Sequence, residues 1–465
     1  MKHSKTYLTS RSLAVGLFIS FAWASCQPAE ITTSSPTGAN ARLSAGKDYV
    51  DGEVLIQFAE GTAADVKQKA LDKVQGKMAE KILTKAMEKV GKKEGLTLVK
   101  VSKDVLQAVA DLSTTAGVEF AEPNFIYTHT AVVNDPYFTD GTLWGMYGPT
   151  TSPANQYGSN AAAAWAAGKT GSASVYVGII DEGIQFDHPD LAGQFWTNPG
   201  EIAGNNVDDD NNGYIDDIHG WDFANNDATI YDGGTAGSLD NHGTHVSGTI
   251  SGKANNGIGV IGINWNVSLI SAKFLGASGG SLANAVKAVD YLTTFKTGPQ
   301  KINIVASNNS WGGGSYSQAL FDAITRANAQ NILFVAAAGN SGTNNDKRAS
   351  YPSNYAVPNV IAVAAIDKTG ALASFSQYGA KTVHLGAPGV GVMSTTAYNT
   401  YSSYSGTSMA TPHVTGAVAL YASTHTGSSA AMIKNAILSS AVPTASLSGK
   451  TVTGGRLDAF GAQSK

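Results

Sequence analysis

Two apolar runs that end abruptly in polar residues constrain the fold of this chain more than any other feature. Residues 175–181 (VYVGIID) and 332–340 (ILFVAAAGN) are continuous hydrophobic stretches without polar alternation. Such runs are strands buried on both faces, as in a parallel sheet covered by helices. They deliver Asp181 and Asn340 to the carboxyl edge of that sheet, where ligand and catalytic groups of open α/β folds collect. At 465 residues, 43% hydrophobic and only 14% charged, with 52 glycines, the chain can build one large compact α/β body and still carry extra parts.

The chemistry lies in two segments of small residues. In residues 406–414 (GTSMATPHV) a serine occupies a glycine-flanked turn just before a helical run made by Val414, Ala417, Val418, Leu420 and Tyr421. Ser408 thus falls at a helix N-terminus, where free N–H groups favour developing negative charge. Gly406 lets the backbone approach a substrate closely. A lone serine in such a turn is usually a cap. To act as a nucleophile it needs a base to take its proton and a carboxylate to orient that base. Residues 241–249 (NHGTHVSGT) supply the base, His242, ahead of a helix of small residues that can pack closely on the sheet. Asp181 supplies the carboxylate. His245 and His413 lie in the same motifs, but helix packing and local hydrogen bonding account for them.

The order Asp181, His242, Ser408, read with these flanks, resembles the subtilisin-like serine peptidases, the subtilases. The similarity runs from about Asp135 to about Ala462, and residues 454–459 (GGRLDA) resemble the family's closing segment. The resemblance implies an α/β, three-layer subtilisin-like fold with a mostly parallel central sheet, and serine endopeptidase activity without a catalytic cofactor. Asp181 then orients His242, His242 is general base and later general acid, and Ser408 attacks the peptide carbonyl. Asn340 would aim its side-chain amide at the tetrahedral intermediate, with the Ser408 N–H as second donor. Glu182, directly after Asp181, suggests a Ser-Glu-Asp site of the sedolisin type, against which the Asn-His-Gly-Thr-His context argues. An extended peptide is expected to add as a strand beside Ser310, Trp311 and Gly312. Ala337, Ala338 and Gly339 would line the main pocket, with residues 351–353 near its floor. These linings are small and uncharged, which favours a bulky apolar side chain. Asp346, Lys347 and Arg348 sit on a neighbouring loop whose path the sequence does not give.

Residues 206–217 (NVDDDNNGYIDD) carry oxygen ligands at alternating positions with glycine at the sixth place, the opening pattern of a calcium loop. Asp208, Asp210 and Asn212 are the candidate side-chain ligands and Tyr214 the backbone ligand. His219 stands at the twelfth position, so Asp216 or Asp217 must close the site. A solvated acidic loop is the alternative. A second Ca2+ site is implied by the resemblance alone, with Asp190 and Asn256 as side-chain ligands and Ile258 and Val260 offering carbonyls. Asn-Asn-Gly is also ordinary turn chemistry.

The N-terminal part is a different object. Lys2, Lys5 and Arg11 precede an apolar stretch, 13–24, too short to span a bilayer and suited to a signal peptide. Residues 1–26 are therefore expected to direct export. Cys26, the only cysteine, follows Ala24-Ser25 in a setting that resembles the cleavage box of bacterial lipoproteins, with Trp23 departing from the usual aliphatic residue. Lipid modification is the expectation, against removal with the signal or a free thiol. Residues 27–48 read as a flexible linker rich in Ser, Thr, Ala and Pro. Residues 49–130, with strands at 52–58 and 96–101, another near 125–127, and a Lys-rich helix at 63–74, resemble an inhibitory subtilase propeptide. Residues 131–465 form the catalytic domain. Lysines crowd between Lys67 and Lys103 while carboxylates dominate after Asn134, so a basic pro-unit would be drawn to an acidic body. The expected partners are protein or peptide substrates and the chain's own propeptide, in a monomer. Nothing suggests nucleic acid. A non-catalytic peptide-binding protein on the same fold and a processing peptidase with one substrate are the competing functions.

Overall fold

The computed structural model describes residues 49–125, 133–233, 240–298 and 300–465. The signal segment with Cys26, the linker at 27–48 and residues 126–132, where the expected propeptide meets the catalytic domain, lie outside the described residues. The described residues fall into two compact units.

The first unit contains β1 (Tyr49–Phe58), α1 (Ala64–Lys73), β2 (Gly76–Ile82), α2 (Lys85–Lys89), β3 (Leu96–Val101), α3 (Val105–Ser113) and β4 (Val118–Phe125). The strands form an antiparallel sheet in the order β2-β3-β1-β4. Period-2 alternation turns Val54, Ile56 and Phe58 of β1 and Val99 and Val101 of β3 to one face. There they pack on Ala70 of α1 and on Ala108 and Leu112 of α3. The Asp104 side chain caps α3 by accepting from the Leu106 and Gln107 N–H groups.

The second unit opens with α4 (Pro136–Thr139) and α5 (Ala161–Ala166). It continues with β5 (Gly171–Asp181), β6 (Gly220–Asp222), α6 (Asn241–Ser251), β7 (Asn266–Lys273), α7 (Leu282–Thr297), β8 (Ile304–Asn309), α8 (Gln318–Ala329) and β9 (Leu333–Ala337). Then come β10 (Val360–Ile366), β11 (Leu385–Pro388), the hairpin β12 (Val392–Thr396) with β13 (Thr400–Tyr404), α9 (Thr407–Thr424), α10 (Ala430–Ser439), β14 (Val442–Pro443), β15 (Gly455–Arg456) and α11 (Ala459–Ala462). A nine-stranded sheet in the order β14-β15-β11-β10-β9-β8-β5-β7-β6 is parallel except where β14 meets β15. Alternation sorts each strand between two cores. Val177, Ile179, Leu333 and Val335 join α6, α9 and α10 on one face, while Ile180, Phe334 and Ala336 join α7 and α8 on the other. The result is the three-layer, mostly parallel α/β architecture expected. No described helix is long and apolar enough to cross a membrane.

Candidate active site

Four elements converge at the carboxyl edge of the parallel sheet. β5 ends on Asp181, His242 is the second residue of α6, Asn340 follows β9, and Ser408 is the second residue of α9. The close approach of α6 to the chain leaving β5 depends on Gly243, where a Cβ would lie 2.0 Å from the Gly183 carbonyl oxygen.

His242 Nδ1 lies 2.9 Å from Asp181 Oδ1, and Asp181 is almost wholly buried. The same Oδ1 accepts the Glu182 N–H at 2.8 Å. Burial works against a charged His242, but the Asp181 carboxylate outweighs it by charge and hydrogen bond, with Glu182 adding to the effect, so the imidazole is lifted above its usual range. The other two motif histidines are held neutral by burial. His245 is pushed down to about 3 beside the Val392 and Ser402 carbonyls, and His413 to about 4 beside the Met409 carbonyl.

The Ser408 hydroxyl donates to the Ser310 carbonyl at 3.1 Å, and Ser310 Oγ donates back to the Ser408 carbonyl at 2.8 Å. Pro412 explains the second bond. Four residues along α9 it has no N–H to offer, so the Ser408 carbonyl takes its donor from the neighbouring loop instead. Asn340 Oδ1 accepts from both the N–H and the hydroxyl of Thr407 at 2.9 Å, which fixes the amide with Nδ2 free to donate. A Cβ on Gly406 would stand 3.6 Å from Asn340 Nδ2 and 3.6 Å from the Ser408 N. The two nitrogens therefore border one small space beside Gly406.

Beside Ser408 lies a cavity of about 770 Å³ bounded by Ser310, Trp311 and Gly312 on one wall and by Ala337, Gly339 and Asn340 on the other. Tyr351 closes it. Ala338 departs from the expected lining: the alternation that turns Ala337 to the cavity packs Ala338 against Ala364 and Val383 in the core. Gly339, at φ +111°, leaves no room for a side chain, since a Cβ would meet Gln377 Oε1 at 1.9 Å. The lining is also not uncharged throughout, because Arg348 reaches the cavity.

A buried cation, Lys273, supports the site and was not anticipated from sequence. It sits opposite Asp181 in the β5–β7 register, with Nζ 2.6 Å from Asp232, 3.0 Å from Asp240 and 3.8 Å from Asp222. Asp240 immediately precedes α6, so this cluster ties down the helix start that carries His242. An apolar-looking strand, NVSLISAK, gives little hint of it beyond a lysine among buried positions.

In the acidic loop, carboxylate oxygens of Glu201, Asp208 and Asp210 lie within 4.8 Å of one another. Glu201 was missed because it precedes the motif; its oxygens accept the Asp210 and Asp216 N–H groups. Asn212 spans Asp210 and Asp217 with its amide, and its N–H bonds Asp208 and Asp210. The structure places the two closing carboxylates elsewhere. Asp216 clamps the N–H groups of Gly204, Asn205 and Asn206, and Asp217 is buried on Tyr291, Asn198 and Asn212. Burial pushes Asp217 up to about 7. The Tyr214 ring packs against Trp221, Phe223 and Tyr291, fixing the backbone around its carbonyl.

At the second candidate site Asp190 accepts from Asn256 Nδ2 at 2.7 Å and from the Val260 N–H at 2.6 Å, and the Ile258 N–H donates to Asn256 Oδ1. Burial raises Asp190 to about 6, with Asp135 adding to the rise. Asp135, wholly buried on the Asn255 and Asn256 N–H groups, is the carboxylate the sequence reading left out.

Comparisons with known proteins show the family of this chain. Residues 172–462 match the model of the subtilase family, and residues 35–124 match the fervidolysin N-terminal prodomain. A thermophilic serine proteinase of Bacillus sp. (strain AK1) is 34% identical over 81% of this chain and 79% of its own length. Thermitase of Thermoactinomyces vulgaris is 34% identical over 65% of this chain and 89% of its own. Among solved structures, a protease from Pseudoalteromonas arctica PAMC 21717 superposes with a TM-score of 0.56 at 26% identity, covering 72% of this chain and 99% of that one.

Proposed function

The chain belongs to the subtilase family and is a subtilisin-like serine peptidase with a prodomain, and from that premise we propose that it is an exported, self-processing endopeptidase whose nucleophile is Ser408. The observation that supports the assignment is that Asn340 Nδ2 and the Ser408 nitrogen border the same space beside Gly406, at the same sheet edge as the His242–Asp181 pair. When a peptide enters, the Ser408 hydroxyl turns from the Ser310 carbonyl to His242. His242 takes its proton as Oγ bonds to the carbonyl carbon, and Asp181 holds the Nδ1–H and stabilises the imidazolium. The oxygen, now negative, lies between the Asn340 and Ser408 donors. Collapse breaks the C–N bond, His242 protonates the departing amine, and water then hydrolyses the acyl-enzyme by the same route.

The substrate adds along Ser310, Trp311 and Gly312, with one large side chain in the cavity bounded by Ala337 and Gly339; Arg348 disfavours a basic one. Glu201, Asp208 and Asp210 bring three negative charges together, and hard oxygen donors in a fixed loop fit Ca2+. Asn212 and the Tyr214 carbonyl complete that set, with Asp216 and Asp217 bracing the loop. Asp190 and Asp135, adjacent buried carboxylates, fit a second Ca2+ with Asn256 and the Ile258 and Val260 carbonyls. Both ions would be structural. The stretch at 13–24 supports export and Ala24-Ser25-Cys26 supports a lipid anchor on the pro-unit, residues 49–130 being the inhibitor and 131–465 the catalytic domain.

A fluorophosphonate probe tests the assignment. The purified wild type should be labelled on Ser408, with loss of hydrolysis in proportion. Labelling that persists in Ser408→Ala would reject it.

A further inference from the structure

Glu182 is an ionisable group in direct contact with His242 to which the mechanism gives no part. Its Oε1 accepts the His242 N–H at 2.6 Å, at the N-terminus of α6, where a carboxylate also meets the helix's positive end. It faces Asp181 from β5, Asp240 just before α6, His242 from α6, and Tyr404 from β13. Among the described residues it has no lysine or arginine partner, because the nearby cation, Lys273, is committed to Asp222, Asp232 and Asp240. Among the described residues, the positive charge that can form beside Glu182 is therefore the imidazolium of His242.

We propose that Glu182 is a positioning residue for the peptidase reaction, holding the main chain of His242 in place and, as a second carboxylate behind Asp181, stabilising the imidazolium formed when Ser408 gives up its proton. The inference rests on the reading of His242 as the base. Burial and the Asp181 charge push the Glu182 carboxyl up to about 7, so it gains its charge as pH rises through neutrality. Its charge then helps to keep His242 protonated. Removing that charge lowers the His242 pKa, and the neutral base persists to lower pH.

The test compares kcat/KM against pH for wild type, Glu182→Gln, Glu182→Ala and His242→Ala, each freed of the pro-unit by an added protease, on one peptide substrate. Rates are normalised to folded enzyme by fluorophosphonate titration where the nucleophile reacts and by circular dichroism for His242→Ala. Glu182→Gln keeps an acceptor for the His242 N–H and loses the charge. Its acid limb should move about half to one pH unit lower, with kcat at the plateau down roughly threefold to tenfold and KM unchanged. Glu182→Ala should show the same displacement and a further fall in kcat. An acid limb in Glu182→Gln that superimposes on wild type overturns the inference while His242→Ala stays inactive. Turnover by His242→Ala would instead overturn the catalytic reading beneath it.

Discussion

At the scale of single residues, Asn340 works in two directions. Its Oδ1 accepts from Thr407 at the start of α9, and this leaves Nδ2 as the donor proposed for the oxyanion. Asn340→Ala should therefore retain labelling of Ser408 by a fluorophosphonate while kcat falls on the order of 10²- to 10³-fold; an unchanged kcat would reject the role. A second expectation follows from His242. Since Asp181 raises its pKa against the effect of burial, the neutral base is lost on acidification through that raised value. Hydrolysis should climb with pH into the alkaline range, and a kcat/KM profile flat from pH 6 to 10 would contradict it. Asp181, His242, Asn340 and Ser408 were legible because each stands at the end of an apolar strand or the start of a small-residue helix. Glu201, Asp135 and Lys273 were not, because what makes them matter is who surrounds them, and those neighbours come from remote segments.

At the scale of elements, the runs that ended in Asp181 and Asn340 proved to be β5 and β9, adjacent to β8 from either side in a sheet whose parallel strands bury both faces. The strand β2 carried no such signal. Its sequence GKMAEKI lies at a sheet edge and is largely exposed, so neither hydrophobic period nor β-propensity marks it. The hairpin of β12 and β13 is equally quiet in sequence, although it supplies the carbonyls that hold His245. Two elements carry predictions of stability. Lys273 holds three aspartates around the start of α6, so Lys273→Met, which strands them without a cation, should cost about 3–5 kcal/mol and lower activity as His242 loses its footing. Denaturant titration measures the first effect, and a loss under 1 kcal/mol would count against the cluster's role. Calcium removal by a chelator should lower the temperature of irreversible inactivation, since an ion bound only to the folded state stabilises it by mass action. Asp208→Ala combined with Asp210→Ala should reproduce most of that loss, and unaltered inactivation in both experiments would leave the loop as solvated acid.

At the scale of the whole molecule, the chain joins a small antiparallel α+β unit to a large α/β body, and the matches to a prodomain and a subtilase model fall on these two parts in turn. Under the proposed self-processing, cleavage is expected between about residues 127 and 135, where the prodomain match has ended and the subtilase match has yet to begin. If Cys26 carries lipid, cutting there and degrading the pro-unit would free the catalytic body from the membrane surface. N-terminal sequencing of the exported wild type should find a start in that window, and Ser408→Ala should remain full-length; a start upstream of Ala121 would contradict self-processing. The central claim, that Ser408 is the nucleophile of peptide hydrolysis, is tested most directly by kcat/KM of purified Ser408→Ala against wild type on the same peptide substrate. Both proteins should be freed of the pro-unit by an added protease and shown by circular dichroism to be folded. The account predicts a loss on the order of 10⁶-fold, while substantial turnover by folded Ser408→Ala would contradict it.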